Sequence, residues 1–148
     1  MKKLVSLHKY WITADAIKHV VITKIEEDTS SLPNKIAEVA EIHSSFIKLS
    51  VLYGLIYVVI EGYKELKYTN EQIDTLLAQD SFVDALRLFR NSVFHYQKEP
   101  ISEKALKFLE LKESEIWIRE IHVAFKLFFE KELAIKEVLK EINTNFDV

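Results

Sequence analysis

Apolar side chains recur along this chain at a helical period, and turn-forming residues seldom interrupt them. The strongest run spans Asn34 to Leu66. Ile36, Val39, Ala40, Ile42, Phe46, Ile47 and Leu49 recur at helical spacing, and "SVLYGLIYVVI" then continues apolar almost all round. A helix apolar on every side belongs in the middle of a bundle or between subunits. Val51, Ile56, Val58, Val59 and Ile60 would also suit a strand, but the length of the run decides for helix. Ahead of it, a first helix is predicted from about Lys2 to Asp28, with a break near Thr13. "EEDTSSLPN" ends it with charge, serines and Pro33. After it, Thr69-Asn70-Glu71-Gln72 has the Thr-x-x-Gln form of a capping box and opens a short third helix over Ile73, Leu76 and Leu77.

A fourth helix runs from about Ser81 to Tyr96, with Asp80 as its cap and "QKEP" closing it ahead of Pro100. Ser102 opens a short fifth element through Leu109. A long last helix covers Ser114 to Ile142, with Trp117, Ile121, Ala124, Phe125, Phe128 and Leu139 as its core stripe. The expected architecture is all-α: an antiparallel bundle of four main helices plus short extra ones, in one domain over residues 1–148. Two glycines and two prolines in 148 residues support it, because a sheet with many hairpins needs more turns.

Composition narrows function mainly by exclusion. A formal charge of -3 gives no global attraction to nucleic acid, so phosphate binding needs a local basic patch. The absence of cysteine rules out disulfides and thiol chemistry and suits a reducing cytoplasm, the expected location. Met1-Lys2-Lys3 followed by "LVSLHKYW" does not read as a secretory signal, since His8 and Lys9 interrupt it. "LSVLYGLIYVVI" between Lys48 and Glu61 has 12 residues where a bilayer needs about 20, so no membrane is expected as a partner. His8 and His19 share one helical face, while His43 and His122 stand alone. With no His-Glu-x-x-His and no clustered carboxylates, no metal or other cofactor is expected. The serines lack partners at triad spacing.

Candidate chemistry concentrates in "LRLFRNSVFHYQKEP", Leu86 to Pro100. On a helical projection Phe82, Leu86, Phe89, Val93 and Tyr96 form the core stripe, with Arg90 at its edge. Arg87, Asn91 and His95 spread over the other side, where Leu88 and Phe94 also lie. Asn91 and His95, four apart, can touch. Arg90 and His95 are about 140° apart on a straight helix and do not converge on one atom. A two-fold axis beside this helix would bring Arg90 of one copy to His95 of the other. Glu61, after its apolar run, either faces the same cleft or marks where the second helix returns to water. Gly54 and Gly62 are explained by close helix packing. Read alone, Arg90 and His95 are also compatible with an ordinary solvated helix face.

"FRNSVFHYQ" resembles the Arg-x4-His signature of the HEPN (higher eukaryotes and prokaryotes nucleotide-binding) domain, in which a polar residue follows the arginine. Here those positions are Arg90, Asn91 and His95. "VVIEGYKEL", "IDTLL" and "WIREIHVAFKLFF" are similar to the layout of bacterial and phage HEPN-like proteins, so the likeness spans most of the chain loosely and is sharp only at Arg-x4-His. It implies a helical bundle that forms a homodimer and joins two such segments at a cleft. It also implies a metal-independent endoribonuclease, a toxin or phage-defence effector acting on RNA, or else an inactive module that binds RNA, nucleotide or a protein partner. Under that resemblance Arg90, Asn91 and His95 are the catalytic set. Arg87 and Lys98 would attract phosphate, and Phe94 would stack on a base, with Tyr96 a second stacking candidate that the core stripe places inside. In HEPN toxins paired with nucleotidyltransferase antitoxins a tyrosine stands two residues after the histidine. Gln97 stands there here, which argues against that arrangement and leaves the antitoxin or other partner open.

The chemistry suits these residue types. Metal-free RNA cleavage uses the neighbouring 2′-hydroxyl as nucleophile, an imidazole can move the proton, and a guanidinium can hold the charge that gathers on the phosphate oxygens. Asn91 could orient the imidazole or hold a phosphate oxygen.

Overall fold

The structure, a computed structural model, describes residues 1–22, 33–99 and 102–135. Its elements are all helices: α1 (Lys2–Ile22), α2 (Asn34–Glu65), α3 (Glu71–Leu77), α4 (Asp80–Phe94), α5 (Glu103–Leu109) and α6 (Ser114–Glu132). The all-α bundle expected from the apolar periodicity is what the chain forms. α1 lies along α2, α4 packs on α2 and α5, and α6 closes against α3 and the α1–α2 pair. The predicted end of the first helix at Asp28, Pro100, and the last helix beyond residue 135 lie outside the described residues.

The buried side chains form one cluster, built on Ile60, Tyr63, Leu86, Phe89, Phe108, Ile121, Phe125 and Phe129. Aromatic edges hold it together. Tyr63 meets Phe125 and Phe128 edge-on at 5.5 Å between centroids, and Tyr53 meets Phe108 in the same way. Both indoles are satisfied within it, Trp11 donating to the carbonyl of His122 at 3.2 Å and Trp117 to that of Leu76 at 3.1 Å. All five described members of the predicted α6 stripe, Trp117, Ile121, Ala124, Phe125 and Phe128, are buried.

Several boundaries differ from the sequence reading. α1 runs unbroken past Thr13, whose hydroxyl donates back to the carbonyl of Lys9 at 2.9 Å. The cap of α3 is Asn70 rather than Thr69. Its side chain accepts from the amide of Ile73, and the carboxylate of Asp74 accepts from the amide of Asn70, a reciprocal pair set one residue later than the Thr-x-x-Gln pattern suggests. Tyr63 of α2 donates to the other oxygen of Asp74 at 2.8 Å, so the start of α3 is fastened to α2. α4 begins at Asp80 itself, with Gln79 preceding it and no side-chain cap. Ser102 caps α5 as expected. α6 stops at Glu132 because Ala134 takes a positive φ of 47° that a helix cannot continue.

α2 departs furthest from expectation. Its second half sits in the core, but Ile36, Val39, Ile42 and Ile47 of its first half are 50–70% exposed. Leu7 of α1 lies against Gly62, so in this antiparallel pair Ile22 comes level with about residue 47. α4 likewise ends at Phe94, beside Gly54. The first turns of α2 therefore extend beyond the described parts of both neighbours. The 32-residue helix is also longer than the 12-residue apolar run, and by length and composition alone it could cross a bilayer.

Candidate functional site

α4 is an amphipathic helix, and its apolar stripe fixes where its polar residues go. Leu86 and Phe89 are fully buried and Val83 and Ala85 nearly so, with Phe89 wedged between Tyr53 of α2 and Phe108 of α5. Close approach at the end of α4 depends on Gly54. A Cβ there would fall 2.4 Å from the ring of Phe94. α4 thus lies along α2 with Arg87, Arg90 and Asn91 turned to the rim of the interface.

Arg90 is the centre of this rim. Its side chain is 28% exposed, its Nη2 lies 3.5 Å from Glu61 Oε2, and its Nη1 donates to Asn91 Oδ1 at 3.1 Å. Its Nε is buried without a hydrogen-bond partner, so the guanidinium faces outward through its two Nη groups. Glu61 is exposed where α2 returns to water and at the same time reaches Arg90 of α4. Beside this pair, Arg87 lies 3.5 Å from Asp84. Tyr57 of α2 is buried under all four charged groups, and its hydroxyl is held above the usual range by burial first and by the negative charge of Glu61 second.

His95 stands apart from the geometry assumed for it. α4 ends at Phe94, and His95 is the C-cap residue with extended backbone, φ −122° and ψ 142°. The 140° separation computed for a straight helix therefore does not apply to it. Among the described residues, the Asn91 side chain bonds Arg90 and not the imidazole. The backbone amide of His95 donates to the Asn91 carbonyl at 3.2 Å, and Gln97 Nε2 donates to the His95 carbonyl at 3.0 Å, closing a turn. The early helix end also corrects Tyr96. It is 92% exposed rather than on the core stripe, because no helix remains to carry the stripe to it. Phe94 is half exposed, with one edge on Gly54. Lys98 is exposed. One end of α4 therefore presents three exposed residues in a row, Phe94, His95 and Tyr96, with a part-buried guanidinium five residues before His95.

His122, read from sequence as solitary, sits in company. It is 4% exposed, stacks on Trp11 at 5.1 Å, and its Nε2 lies 3.3 Å from Asp15 Oδ1. The other oxygen of Asp15 is 3.5 Å from His19. Burial, then the charge of Lys18, push His122 down to about 4, against the pull of Asp15. Its spacing to Trp11 and Asp15, more than a hundred residues away, carries no local signal. Among the described residues no group of three or more ligands is placed to hold a metal.

An open groove of about 840 Å³ lies between α3 and α6, lined by Asn70, Glu71, Gln72, Thr75, Arg119, Glu120 and Val123 among others. It mixes both charge signs, and its arginine is already paired with Glu115, so it offers no converging set. The rim around Arg90 is the better candidate. No protein-family model matches this chain, and neither a curated protein nor a solved structure does.

Proposed function

We propose that the chain is a metal-independent endoribonuclease of HEPN type, with Arg90, Asn91 and His95 as its catalytic groups and a site shared across a homodimer. One observation carries this reading: α4 holds a guanidinium at the α2–α4 rim and, five residues on, ends at an exposed histidine whose chain neighbours Phe94 and Tyr96 are also exposed. Arg90 would bridge phosphate oxygens through its Nη groups. His95 would move the proton. Phe94 and Tyr96 would stack on bases, with Arg87 and Lys98 adding phosphate attraction. A cytoplasmic toxin or phage-defence effector is the setting that such an activity fits. Purified protein should cut RNA in EDTA, leaving 2′,3′-cyclic phosphate ends, and His95→Ala should stop it without changing the helical circular dichroism. If wild type and variant behave alike, the catalytic reading fails.

A second reading has its own support. Both rim arginines already face carboxylates, Arg90 with Glu61 and Arg87 with Asp84. That arrangement suits a non-catalytic module that binds RNA, nucleotide or a protein partner. Binding without cleavage, lost in Arg90→Ala, would select it.

A further inference from the structure

Cleavage by 2′-hydroxyl attack needs two proton transfers: one off the nucleophile and one onto the departing 5′-oxygen. Arg90, Asn91 and His95 supply only one group suited to either. A guanidinium does not give up its proton in a protein, and an amide side chain does not titrate. Tyr57, beneath the cluster, is held in its protonated form by burial and by the charge of Glu61. Where each cleft takes its imidazole from one copy only, the second transfer falls to another group on the rim.

Two carboxylates are available, and their contacts separate them. Asp84 lies a turn before Arg87, is 69% exposed, and meets Arg87 rather than Arg90. Glu61 reaches across from α2 to Arg90 itself. At 3.5 Å this contact is longer than the roughly 2.7–2.9 Å of a closed charge-assisted hydrogen bond, so the carboxylate is placed beside the guanidinium but not locked to it. Glu61 is also 48% exposed, within reach of a substrate. Arg90 of α4 faces it directly, and Tyr57 of its own helix feels its charge together with those of Arg90, Arg87 and Asp84. A phosphate bridged by Arg90 would put its ribose or its leaving group beside Glu61.

We infer that Glu61 is a further catalytic residue of the proposed ribonuclease, the general base that takes the 2′-hydroxyl proton while His95 acts as general acid. The step balances. Glu61 accepts the proton as the 2′-oxygen bonds to phosphorus. The P–O5′ bond breaks, and the imidazolium of His95 protonates the 5′-oxygen. The products are a 2′,3′-cyclic phosphate and a 5′-hydroxyl. Glu61 leaves protonated and His95 neutral, and exchange with water restores both. Asn91, bonded to the other Nη of Arg90, holds the guanidinium beside Glu61.

This role rests on the ribonuclease reading, and the test separates the two. Cleavage of an RNA oligonucleotide is compared with that of a nucleoside 3′-(4-nitrophenyl phosphate), whose leaving group needs no proton. Glu61→Gln should lower kcat about 10²–10⁴-fold on both substrates, with little change in KM, and should remove the acidic limb of the pH profile. Glu61→Asp should keep that limb. His95→Ala should fail on RNA yet regain most activity on the nitrophenyl ester. A wild type that leaves both substrates intact overturns the ribonuclease reading and this role with it. A wild type that cuts, beside a Glu61→Gln that cuts equally well with an unchanged profile, overturns the role of Glu61 alone. Recovery of Glu61→Gln rather than His95→Ala on the ester reverses the assignment and also overturns it.

Discussion

The ring of Phe94 lies on Gly54, so close that a methyl group at that glycine would fall 2.4 Å from the ring edge. Gly62 is covered in the same way by Leu7, at the same distance. The two contacts differ in what the covering side chain can do. Phe94 is half exposed and can swing into solvent, whereas Leu7 is 6% exposed and held in the core. Gly54→Ala should therefore leave stability nearly unchanged, since the helix propensity gained, about 1 kcal/mol, offsets the displaced ring. Gly62→Ala should destabilise by roughly 1–3 kcal/mol through overpacking. Urea unfolding of the pair measures the contrast. On the proposed ribonuclease reading, Gly54→Ala should still impair RNA cleavage, because it moves the residue next to His95.

Acid should weaken the fold through His122. Its folded-state value of about 4 lies below the ordinary 6.5, so the neutral imidazole is the form that the folded chain holds. The stability that this gives is complete above pH 6.5 and is lost as pH falls towards 4, because the unfolded chain takes up the proton first. The total loss is roughly 3 kcal/mol. His122→Gln should flatten that part of the stability–pH curve, and NMR titration of the imidazole reads its direction directly. Were His122 to titrate above 6.5, the contact with Asp15 would outweigh burial.

Lys67 ends α2 at a positive φ of 56°, and its amide donates to the Lys64 carbonyl at 3.1 Å. A side chain is strained there and glycine is not. Lys67→Gly should raise stability by about 0.5–1 kcal/mol, seen as a higher denaturation midpoint with an unchanged slope.

If the site is shared across two copies, two dead variants should rescue one another. In a mixed pair of Glu61→Gln and His95→Ala, one of the two clefts would keep its carboxylate and guanidinium from one copy and its imidazole from the other. Random exchange should then restore about a quarter of wild-type cleavage. Mixtures that stay inactive after verified exchange would place both groups in one subunit.

What was legible in the sequence follows from how far each signal reaches along the chain. The α6 stripe from Trp117 to Phe128 and the Leu86–Phe89 stripe of α4 repeat within a few residues, so they could be read directly. The end of α4 could not. "VFHYQ" keeps an apolar rhythm through Tyr96, and only the extended backbone at His95 stops it. Apolar spacing in the first half of α2 was real, yet spacing does not say whether a neighbour reaches that far. At the site, Arg90 and Asn91 stood out as local chemistry. Glu61 stayed one of two possibilities, because its partner lies 29 positions later and tertiary packing, at Tyr53–Phe89 and Gly54–Phe94, sets the two helices together. His122 and Asp15 left no trace for the same reason.

α2 is one continuous helix whose two halves have different company, and that should show in how its amides trade protons with solvent. Residues from about Leu52 onward release theirs only when the core opens, since Tyr53, Ile56, Val59, Ile60 and Tyr63 must leave it together. Those before Ile47 need only unwind from the N-terminal end of the helix. Hydrogen–deuterium exchange should thus divide a single helix into a fast segment and a slow one. A ligand that seats on Ile36, Val39 and Ile42 would announce itself by slowing the fast one.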